Sequence, residues 1–460
     1  MKESNSVVVE VGQRFPLTIK KIGINGEGIG YFQHKVTFVP GLLPDEVAVV
    51  EATQVTDRYI RAKVHQLRHR STQRATTVPE IAEKVGGLEL AHLKYDQQVF
   101  YKNDLIKQAL EKYRPRGYQH YDFLPPIGAD NPWGYRNKAQ FPIKINDEGQ
   151  LISGLYQPNT QNLVDLPEMP TQSPLTLSIV RRLLPILTEL KMPIYDAKTN
   201  AGIIKAVAVR ESQLHHQVQL TFITNSKKMP HKQALLIAIA EQLPEVSGIF
   251  QNLNQTKQGL FWGDETWKLA GEDYLEEQVG ERRFLLSPRA FLQLNLPQTE
   301  KLYRVVTDFL EPQSTETLLD AYAGVGTIGL SLAKRVKSVV GIEQIPEAVA
   351  DAQRNAAHNH IQNATYHLGK VESELPKLQA AGENFSAMIV DPPRVGLAPQ
   401  LIETILNARP KKLIYISCNE STLAQNLVKL TQAYVVDKIQ MVDMFPQTAR
   451  VEAVVKLVLR

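Results

Sequence analysis

The chain has 460 residues, and its 52 Lys and Arg against 48 Asp and Glu give a formal net charge of only +4. At about 100–200 residues per domain, this length predicts two to four domains. The single cysteine excludes an intrachain disulfide framework, a thiolate zinc site and a cysteine-held iron–sulfur cluster. Because the start of the sequence does not resemble a signal peptide and no stretch of about 18 apolar residues occurs, we expect a cytoplasmic protein without membrane contact.

Residues 1–74 alternate short β-rich runs with glycine-containing turns. Strands are predicted at residues 15–19, 36–39, 47–52 and 62–64. Closely spaced short strands of this kind are typical of a small barrel. The overlapping segment 58–79 contains six Arg or Lys, two His and no acid. Such a run is typical either of a solvated surface or of a stripe that binds phosphates.

Residues 75–286 predict a second domain of mixed helices and strands. Helices are expected at residues 96–113, 175–190 and 232–242, and strands at 206–210 and 217–223. This mixture indicates an α/β domain with an antiparallel sheet. Val99, Ile106 and Leu110 lie on one face of the first helix, which we expect to pack on the domain that follows.

Residues 287–460 predict a third domain, in which strands and helices alternate regularly from Thr317. The strands are expected at residues 317–322, 338–343, 364–368, 386–390 and 412–417. The helices are expected at 327–335, 345–358 and 401–407. Alternation of this kind is typical of a parallel, doubly wound sheet.

A glycine-rich motif follows the first of these strands. Its residues 324–329 read Gly-Val-Gly-Thr-Ile-Gly and lead from the strand into a helix. Glycines let the backbone turn tightly beside a ligand, and Glu343 ends the next strand, where a carboxylate accepts the hydroxyls of a ribose. Alone, the motif fits a nicotinamide dinucleotide, S-adenosylmethionine or a purely structural turn.

A second motif, Asp391-Pro392-Pro393-Arg394, follows the buried strand at 386–390. Ligands of open α/β sheets bind at the carboxyl ends of the strands. The motif is not expected in a dehydrogenase and therefore favours S-adenosylmethionine with a nucleobase substrate. An ordinary turn at the end of a strand is the alternative interpretation.

Two reactive side chains follow this motif in the sequence. Cys418 comes directly after the strand at 412–417 and should share the rim of the sheet with Asp391. A lone cysteine is by default a small buried hydrophobe, whereas a thiolate at this rim is placed to attack a bound base. Glu452 precedes an apolar strand and is either an exposed strand acid or a general base.

Five motifs, in this order, resemble those of the RNA (uracil-5-)-methyltransferases. They are residues 287–295, residues 320–327, Asp391 to Arg394, Ser417-Cys418-Asn419 and Val451-Glu452. The N-terminal barrel resembles the TRAM domain, an OB-like RNA-binding module, and residues 135–140 and 154–156 resemble the central domain of the family. The resemblance implies an OB-like TRAM barrel, a central α/β RNA-binding domain and a C-terminal Rossmann-like methyltransferase domain.

The resemblance also implies an activity and a site. It points to the 23S rRNA branch and implies C5 methylation of one uridine, or two, through a covalent adduct between cysteine and C6, with S-adenosyl-L-methionine as cofactor and without a metal. Cys418 would be the nucleophile and Glu452 the proton acceptor. Gln293, Tyr322, Glu343 and Asp391 would form the cofactor pocket, with contact of Gln293 and Asp391 to the uracil as an alternative. We expect a monomer that binds 23S rRNA.

The sequence departs from the family pattern in two places. Many members hold an iron–sulfur cluster with four cysteines, and the corresponding positions here are Pro79, Val85, Leu88 and Met169. We therefore predict hydrophobic packing and no cluster. Arg450 replaces a frequent histidine two residues before Glu452, and a guanidinium there is expected to lower the pKa of this carboxyl.

Further RNA contacts and other functions stay open at this level. Three segments could stack on bases and hold phosphates, or could instead contribute core residues. They are the basic segment 58–79, the aromatic and basic residues 133–138 and the pair Phe261-Trp262. The alternative functions are an NAD-dependent dehydrogenase and a catalytically inactive RNA-binding assembly factor.

Overall fold

The computed structural model describes residues 9–257 and 261–460. Its N-terminal part is a closed barrel with the strand order β1-β2-β3-β5-β4. The strands are β1 (Arg14–Ile22), β2 (Gly28–Phe32), β3 (Lys35–Val39), β4 (Val47–Val55) and β5 (Tyr59–His69). Strand β2 was not predicted, because its glycines suggested a turn. A Cβ on Gly28 would lie 2.6 Å from Leu42 O, and one on Gly30 would lie 2.6 Å from Thr18 O, so the barrel closes only with glycine there.

Helix α1 (Tyr95–Tyr113) and strand β6 (Asp122–Phe123) follow the barrel. Leu105, Ile106 and Leu110 of α1 belong to the hydrophobic core of the C-terminal sheet, and Val99 packs against it. Strand β6 pairs in parallel with the edge of that same sheet. These two elements therefore bridge the barrel and the C-terminal domain.

The central part is a seven-stranded sheet with the order β13-β12-β11-β10-β7-β8-β9. The strands are β7 (Lys138–Ile145), β8 (Leu151–Tyr156), β9 (Leu163–Asp165), β10 (Ile204–Ser212), β11 (Gln217–Thr224), β12 (Val246–Leu253) and β13 (Glu265–Gly271). Helices α2 (Pro174–Glu189) and α3 (Lys232–Gln242) share one core with a single face of the sheet. The neighbours are antiparallel except β11 and β12, which α3 connects as a parallel crossover.

Hydrophobic side chains occupy the positions at which many relatives hold a cluster. Val85, Leu88 and Met169 are each at most 5% exposed and share the core of the central domain. Pro79 precedes a short 3-10 helix beside them. The predicted hydrophobic packing is therefore present at three of the four positions. Within the described ranges, no three His, Cys, Asp or Glu side chains are grouped so as to hold a metal.

The C-terminal part begins with a hairpin and is built on an eight-stranded sheet of order β18-β17-β16-β19-β20-β22-β21-β6. Its strands are β14 (Leu275–Val279) and β15 (Arg282–Leu286) in the hairpin, then β16 (Thr317–Ala321), β17 (Ser338–Glu343), β18 (Ala364–Leu368), β19 (Ala387–Val390), β20 (Lys412–Ser417), β21 (Tyr434–Met441) and β22 (Ala453–Leu459). Its helices are α4 (Leu296–Leu310), α5 (Thr327–Leu332), α6 (Pro346–His358), α7 (Val371–Ala380), α8 (Pro399–Ala408) and α9 (Glu420–Leu430). Strands β16 to β20 are parallel, which confirms the predicted doubly wound sheet.

Strand β22 runs antiparallel to β20 and so carries the chain back along the sheet. The hairpin packs against residues of the glycine-rich turn and of α6. It therefore joins the C-terminal domain, although it precedes the predicted boundary at residue 287. None of the helices in the described part of the chain is long and apolar enough to cross a membrane.

Candidate active site

The strand order brings most of the predicted site residues to one rim of the C-terminal sheet. Glu343 ends β17, Tyr322 follows β16, Asp391 follows β19 and Cys418 follows β20. These four strands are parallel neighbours in the order β17-β16-β19-β20, so their carboxyl ends lie side by side. Ligands of doubly wound sheets bind at such a rim.

Cys418 and Glu452 lie beside each other because of the antiparallel pairing of β20 and β22. Ser417 pairs with Ala453, so the next position along the two strands places Cys418 next to Glu452. Cys418 is half-buried, whereas Glu452 is only 3% exposed. A thiol and a carboxyl thus share one end of the sheet.

Asn419 fixes the segment that carries the thiol. Its Oδ1 accepts hydrogen bonds from the backbone N–H groups of Ser421 (3.0 Å) and Thr422 (3.2 Å) at the start of α9, and its Nδ2 donates to Arg394 O at 3.2 Å. The side chain is therefore the N-cap of α9 and also joins the Asp391–Arg394 motif to the Cys418 segment.

The surroundings of Cys418 favour its neutral thiol form. Burial, together with the nearby carboxyls of Glu452 and Asp391, raises the pKa of the Cys418 thiol to about 11, while Arg394 acts in the opposite direction. Negative neighbours and desolvation both disfavour a thiolate. The free protein therefore holds Cys418 as a thiol at neutral pH.

Glu452 is held in an environment that makes it a stronger base. Burial raises its pKa well above the ordinary value, Asp391 raises it further, and Arg394 opposes them. The expectation that Arg450 lowers this pKa is wrong, because the Arg450 side chain is exposed and its charge acts on Glu420. The guanidinium whose charge lowers the pKa of Glu452 is that of Arg394.

The loop that leads to Glu452 rests on a buried polar network that the sequence did not indicate. Lys102 of α1 is fully buried and donates from Nζ to Asp443 Oδ1 at 2.6 Å and to Phe445 O at 2.9 Å. Gln98, also on α1, forms two hydrogen bonds of 2.9 Å with Gln447. Its Nε2 donates to Gln447 Oε1, and its Oε1 accepts from the backbone N–H of Gln447. Helix α1 therefore positions the loop before the candidate base.

Two other parts of the chain support the same loop. Asn295 Nδ2 donates to Met444 O at 3.1 Å, and Tyr135 Oη donates to Pro446 O at 2.9 Å. Tyr135 is 5% exposed, so of the two interpretations left open for it, the core residue is the one that the structure supports. Its role in the fold is to join the central domain to the loop.

A cavity of about 400 Å³ adjoins this rim, and Tyr322 and Glu343 both line it. Each carboxylate oxygen of Glu343 accepts one backbone N–H, from Gly324 at 3.0 Å and from Ile345 at 2.8 Å. Because each oxygen keeps a free lone pair, the carboxylate remains able to accept the two hydroxyls of a ribose. The residues present therefore fit the nucleoside part of S-adenosylmethionine.

The glycine-rich turn leaves no room for larger residues at its centre. Gly326 has φ +85°, and a Cβ there would lie 2.5 Å from Tyr366 Oη. Tyr322 itself has φ 65°, a conformation that is uncommon outside glycine and that ends β16 one residue before the predicted limit. This bend places Tyr322 in the wall of the cavity.

Gln293 is not carried by one of the strands of the rim. It is 8% exposed in the segment between β15 and α4, and its backbone carbonyl accepts a hydrogen bond from Asn137 Nδ2 at 3.3 Å. It is not among the described residues that line the cavity. The structure does bring in Lys370, Glu372 and the loop 395–399, which line it and were not predicted. Their only sequence signal is their position just after β18 and after the Asp391–Arg394 motif.

The basic segment 58–79 divides into exposed and structural members. Arg58, Arg61 and Arg68 are exposed on or beside β5. Arg74 instead forms a 2.7 Å salt bridge with Glu46, whose side chain is fully buried. The exposed part stays a candidate for phosphate contact, and Arg74 belongs to the fold.

Comparison with known proteins gives a consistent assignment. Residues 265–460 match the family model described as tRNA (Uracil-5-)-methyltransferase, and residues 8–65 match the TRAM domain. A protein named as an uncharacterized RNA methyltransferase from Lactiplantibacillus plantarum is 52% identical over 458 residues, which are 100% of this chain and 95% of that protein. One with the same description from Listeria monocytogenes is 45% identical over 99% of each chain.

A solved structure shares nearly the whole architecture. The crystal structure of Pyrococcus abyssi tRNA (uracil-54, C5)-methyltransferase in complex with S-adenosyl-L-homocysteine covers 97% of this chain and 100% of its own, with a TM-score of 0.76 and 25% sequence identity. The dehydrogenase alternative is therefore wrong. The chain belongs to the RNA (uracil-5-)-methyltransferases, which depend on S-adenosylmethionine, and its N-terminal barrel is a TRAM domain.

Proposed function

We propose that this protein methylates C5 of a specific uridine, or of two, in 23S rRNA and that it does so through a covalent bond between Cys418 and C6 of the base. The observation that carries this proposal is the placement of Cys418 beside Glu452, next to the cavity lined by Tyr322 and Glu343. A nucleophile, a base and a nucleoside-binding carboxylate then serve one reaction. We expect it to act as a monomer in the cytoplasm.

The chemistry of uracil explains why both groups are needed. C5 of uracil is a poor nucleophile, and addition of the Cys418 sulfur to C6 gives C5 the character of an enolate carbon. S-adenosylmethionine supplies the electrophilic methyl group when bound. After C5 carries this methyl group, Glu452 removes the C5 proton, the C5–C6 double bond re-forms and the C6–S bond breaks, so that Cys418 leaves as a thiolate.

The electrostatics of the site support these two roles. A carboxylate with a raised pKa is a stronger proton acceptor, and burial raises the pKa of Glu452. The thiol of Cys418 has a raised pKa as well, so thiolate formation belongs to the complex with RNA rather than to the free protein. Asp391 and Arg394 follow β19 and act electrostatically on both groups.

Access of a uridine to this rim requires that the base leave its stack. Cys418 is only half-exposed and Glu452 is buried. An enzyme that reacts at ring atoms of a base takes it from a single strand or extrudes it from a duplex. We therefore expect the target uridine to lie in a loop or to be flipped.

Two classes of RNA are candidate substrates. The resemblance of the motifs favours the 23S rRNA branch, whereas the Pyrococcus abyssi structure is that of a tRNA enzyme and spans 97% of this chain. The barrel alone thus does not separate the two substrates. A uridine in tRNA is the second candidate.

One assay separates these functions. Purified protein is mixed with methyl-labelled S-adenosylmethionine and, separately, with unmodified transcripts of 23S rRNA and of tRNA, and the product nucleosides are identified by mass spectrometry. We expect labelled 5-methyluridine from 23S rRNA only. Label in tRNA alone would replace the proposed substrate, and no label in either RNA would favour the inactive assembly factor.

A further inference from the structure

A second cavity, of about 370 Å³, lies on the central sheet and shares none of its described lining residues with the cavity at the C-terminal rim. We call it the outer cavity and define it by Lys144, Tyr156, Tyr195 and Lys205. Pro142 and Lys144 come from β7, and Lys205 and Ala206 from β10. Its volume is within the range of small-molecule sites, about 300–1,000 Å³.

Two lysines of the outer cavity lie over aromatic rings. Lys144 Nζ is 4.7 Å from the ring centroid of Tyr156, and Lys205 Nζ is 4.4 Å from that of Tyr195. The ammonium of Lys144 donates to Gln161 O at 3.3 Å, and that of Lys205 donates to the backbone carbonyls of residues 254 and 256 at 2.9 and 2.6 Å. Because an ammonium has three protons, each lysine keeps a donor for another acceptor.

No carboxylate compensates this charge among the described residues that line the cavity, which include three lysines. The acid next to Tyr195 in the sequence, Asp196, is turned into its own loop, where it accepts from Lys198 N at 2.8 Å and Thr199 Oγ1 at 3.1 Å. The outer cavity therefore combines uncompensated positive charge with aromatic surface. A phosphate beside a base has the complementary chemistry.

The face of the sheet that carries the outer cavity leads back to the C-terminal domain. Lys138 and Lys144 point to the same side of β7, because they are an even number of residues apart, and lie about 20 Å from each other. Lys138 Nζ is 5.1 Å from the ring centroid of Trp262. Helices α2 and α3 cover the opposite face, and on this side Tyr156 is 41% exposed beside the outer cavity.

The inner end of this face holds a cation without a full set of partners. Arg210 pairs with Lys138 in the sheet and is 4% exposed. Its Nη2 donates to Ala290 O, whereas its Nη1 has no hydrogen-bond partner among the described residues. Basic side chains thus lie at the two ends of this face, Arg210 and Lys138 at the inner end and Lys144 and Lys205 at the outer cavity.

We propose that the outer cavity binds one unstacked nucleotide of the RNA strand, with its base on Tyr156 or Tyr195 and its phosphate on Lys144 or Lys205. This inference rests on the proposed function, since it takes the strand to be the substrate RNA whose target uridine enters the rim at Cys418. The aromatic rings make the site tolerant of sequence, because every base offers a face for stacking. The nucleotide bound there holds the strand while the target base is extruded.

The test uses the full chain and a fluorescein-labelled strand of twelve uridines, with fluorescence anisotropy as the readout of binding. Since one stacked base contributes about 1–3 kcal/mol, at least one of Tyr195→Ala and Tyr156→Ala should raise the Kd about 5- to 150-fold. Tyr195→Phe keeps the ring and should bind as the wild type does. Lys232→Ala changes an exposed residue of α3, on the opposite face, and should also bind as the wild type does. Melting temperatures show whether each variant is folded.

The outcome is independent of which RNA is the substrate. Weaker oligouridine binding in either alanine variant supports the outer cavity even if the 23S rRNA assay fails. A Kd within twofold of the wild type in both variants, or no binding of the oligouridine by the wild type, would overturn the inference. A Kd for uridine monophosphate as low as that for the strand would show a free-nucleotide site instead and would also overturn it.

Discussion

The single cysteine makes the protonation state of Cys418 directly measurable. Burial and two neighbouring carboxyls raise the pKa of this thiol from an ordinary 9.0 to about 11. At pH 7.5 the thiolate fraction should therefore be about one hundredth of that of an unperturbed thiol. Since only the thiolate reacts, the rate of alkylation of the free protein should be low and should rise about tenfold per pH unit.

The assay follows alkylation by iodoacetamide, a neutral reagent, between pH 7 and pH 9.5, with intact-mass detection. Glu452→Gln removes a carboxyl that raises the pKa of Cys418 and should speed alkylation at a given pH, whereas Arg394→Ala should slow it. Glu420→Gln removes a carboxyl two residues from the thiol that has a smaller effect on its pKa than Glu452 or Asp391 and is the matched control. A rate that levels off below pH 9 in the wild type would refute this account of the site.

Two further predictions concern the groups around the thiol and the base. Lys102→Met should destabilise the protein by about 3–5 kcal/mol, because it leaves Asp443 buried without its ion-pair partner. Urea unfolding measures this loss of stability. Replacing Asp443 by Asn in the same variant should restore part of it. A cost below about 1 kcal/mol would show that the pair does not hold the loop. Glu343→Gln should raise the KM for S-adenosylmethionine about 10- to 150-fold, since hydrogen bonds to a charged group contribute about 1.5–3 kcal/mol. The free energy of unfolding should change little. An unchanged KM would exclude the ribose contact.

The C-terminal sheet was the most predictable part of the fold. Strands β17, β18 and β20 have the predicted limits, because buried parallel strands are short apolar runs with clear ends. Helix α7 escaped prediction because Pro376 lies inside it, and proline usually ends a helix. Local sequence signals thus account for both the success and the failure.

The rim was also predictable, because motifs at the ends of adjacent parallel strands must meet. The support of Glu452 was not, since it depends on contacts between distant parts of the chain. Lys102 and Asp443 are 341 residues apart, and Gln98 and Gln447 are 349 apart. The direction of the Arg450 side chain likewise depends on the path of a loop, and no local pattern indicates it.

One measurement tests the roles of both Cys418 and Glu452. It is the trapping of a covalent complex with 23S rRNA that contains 5-fluorouridine. Fluorine at C5 is not removed as a proton, so the adduct should persist after methyl transfer. In the presence of S-adenosylmethionine we expect a complex that survives denaturation, whose RNA-linked peptide contains Cys418, and none with Cys418→Ala. Glu452→Gln should accumulate the same complex with ordinary RNA. A wild-type protein that methylates the RNA without any trapped complex, or an adduct on another residue, would contradict the proposed mechanism.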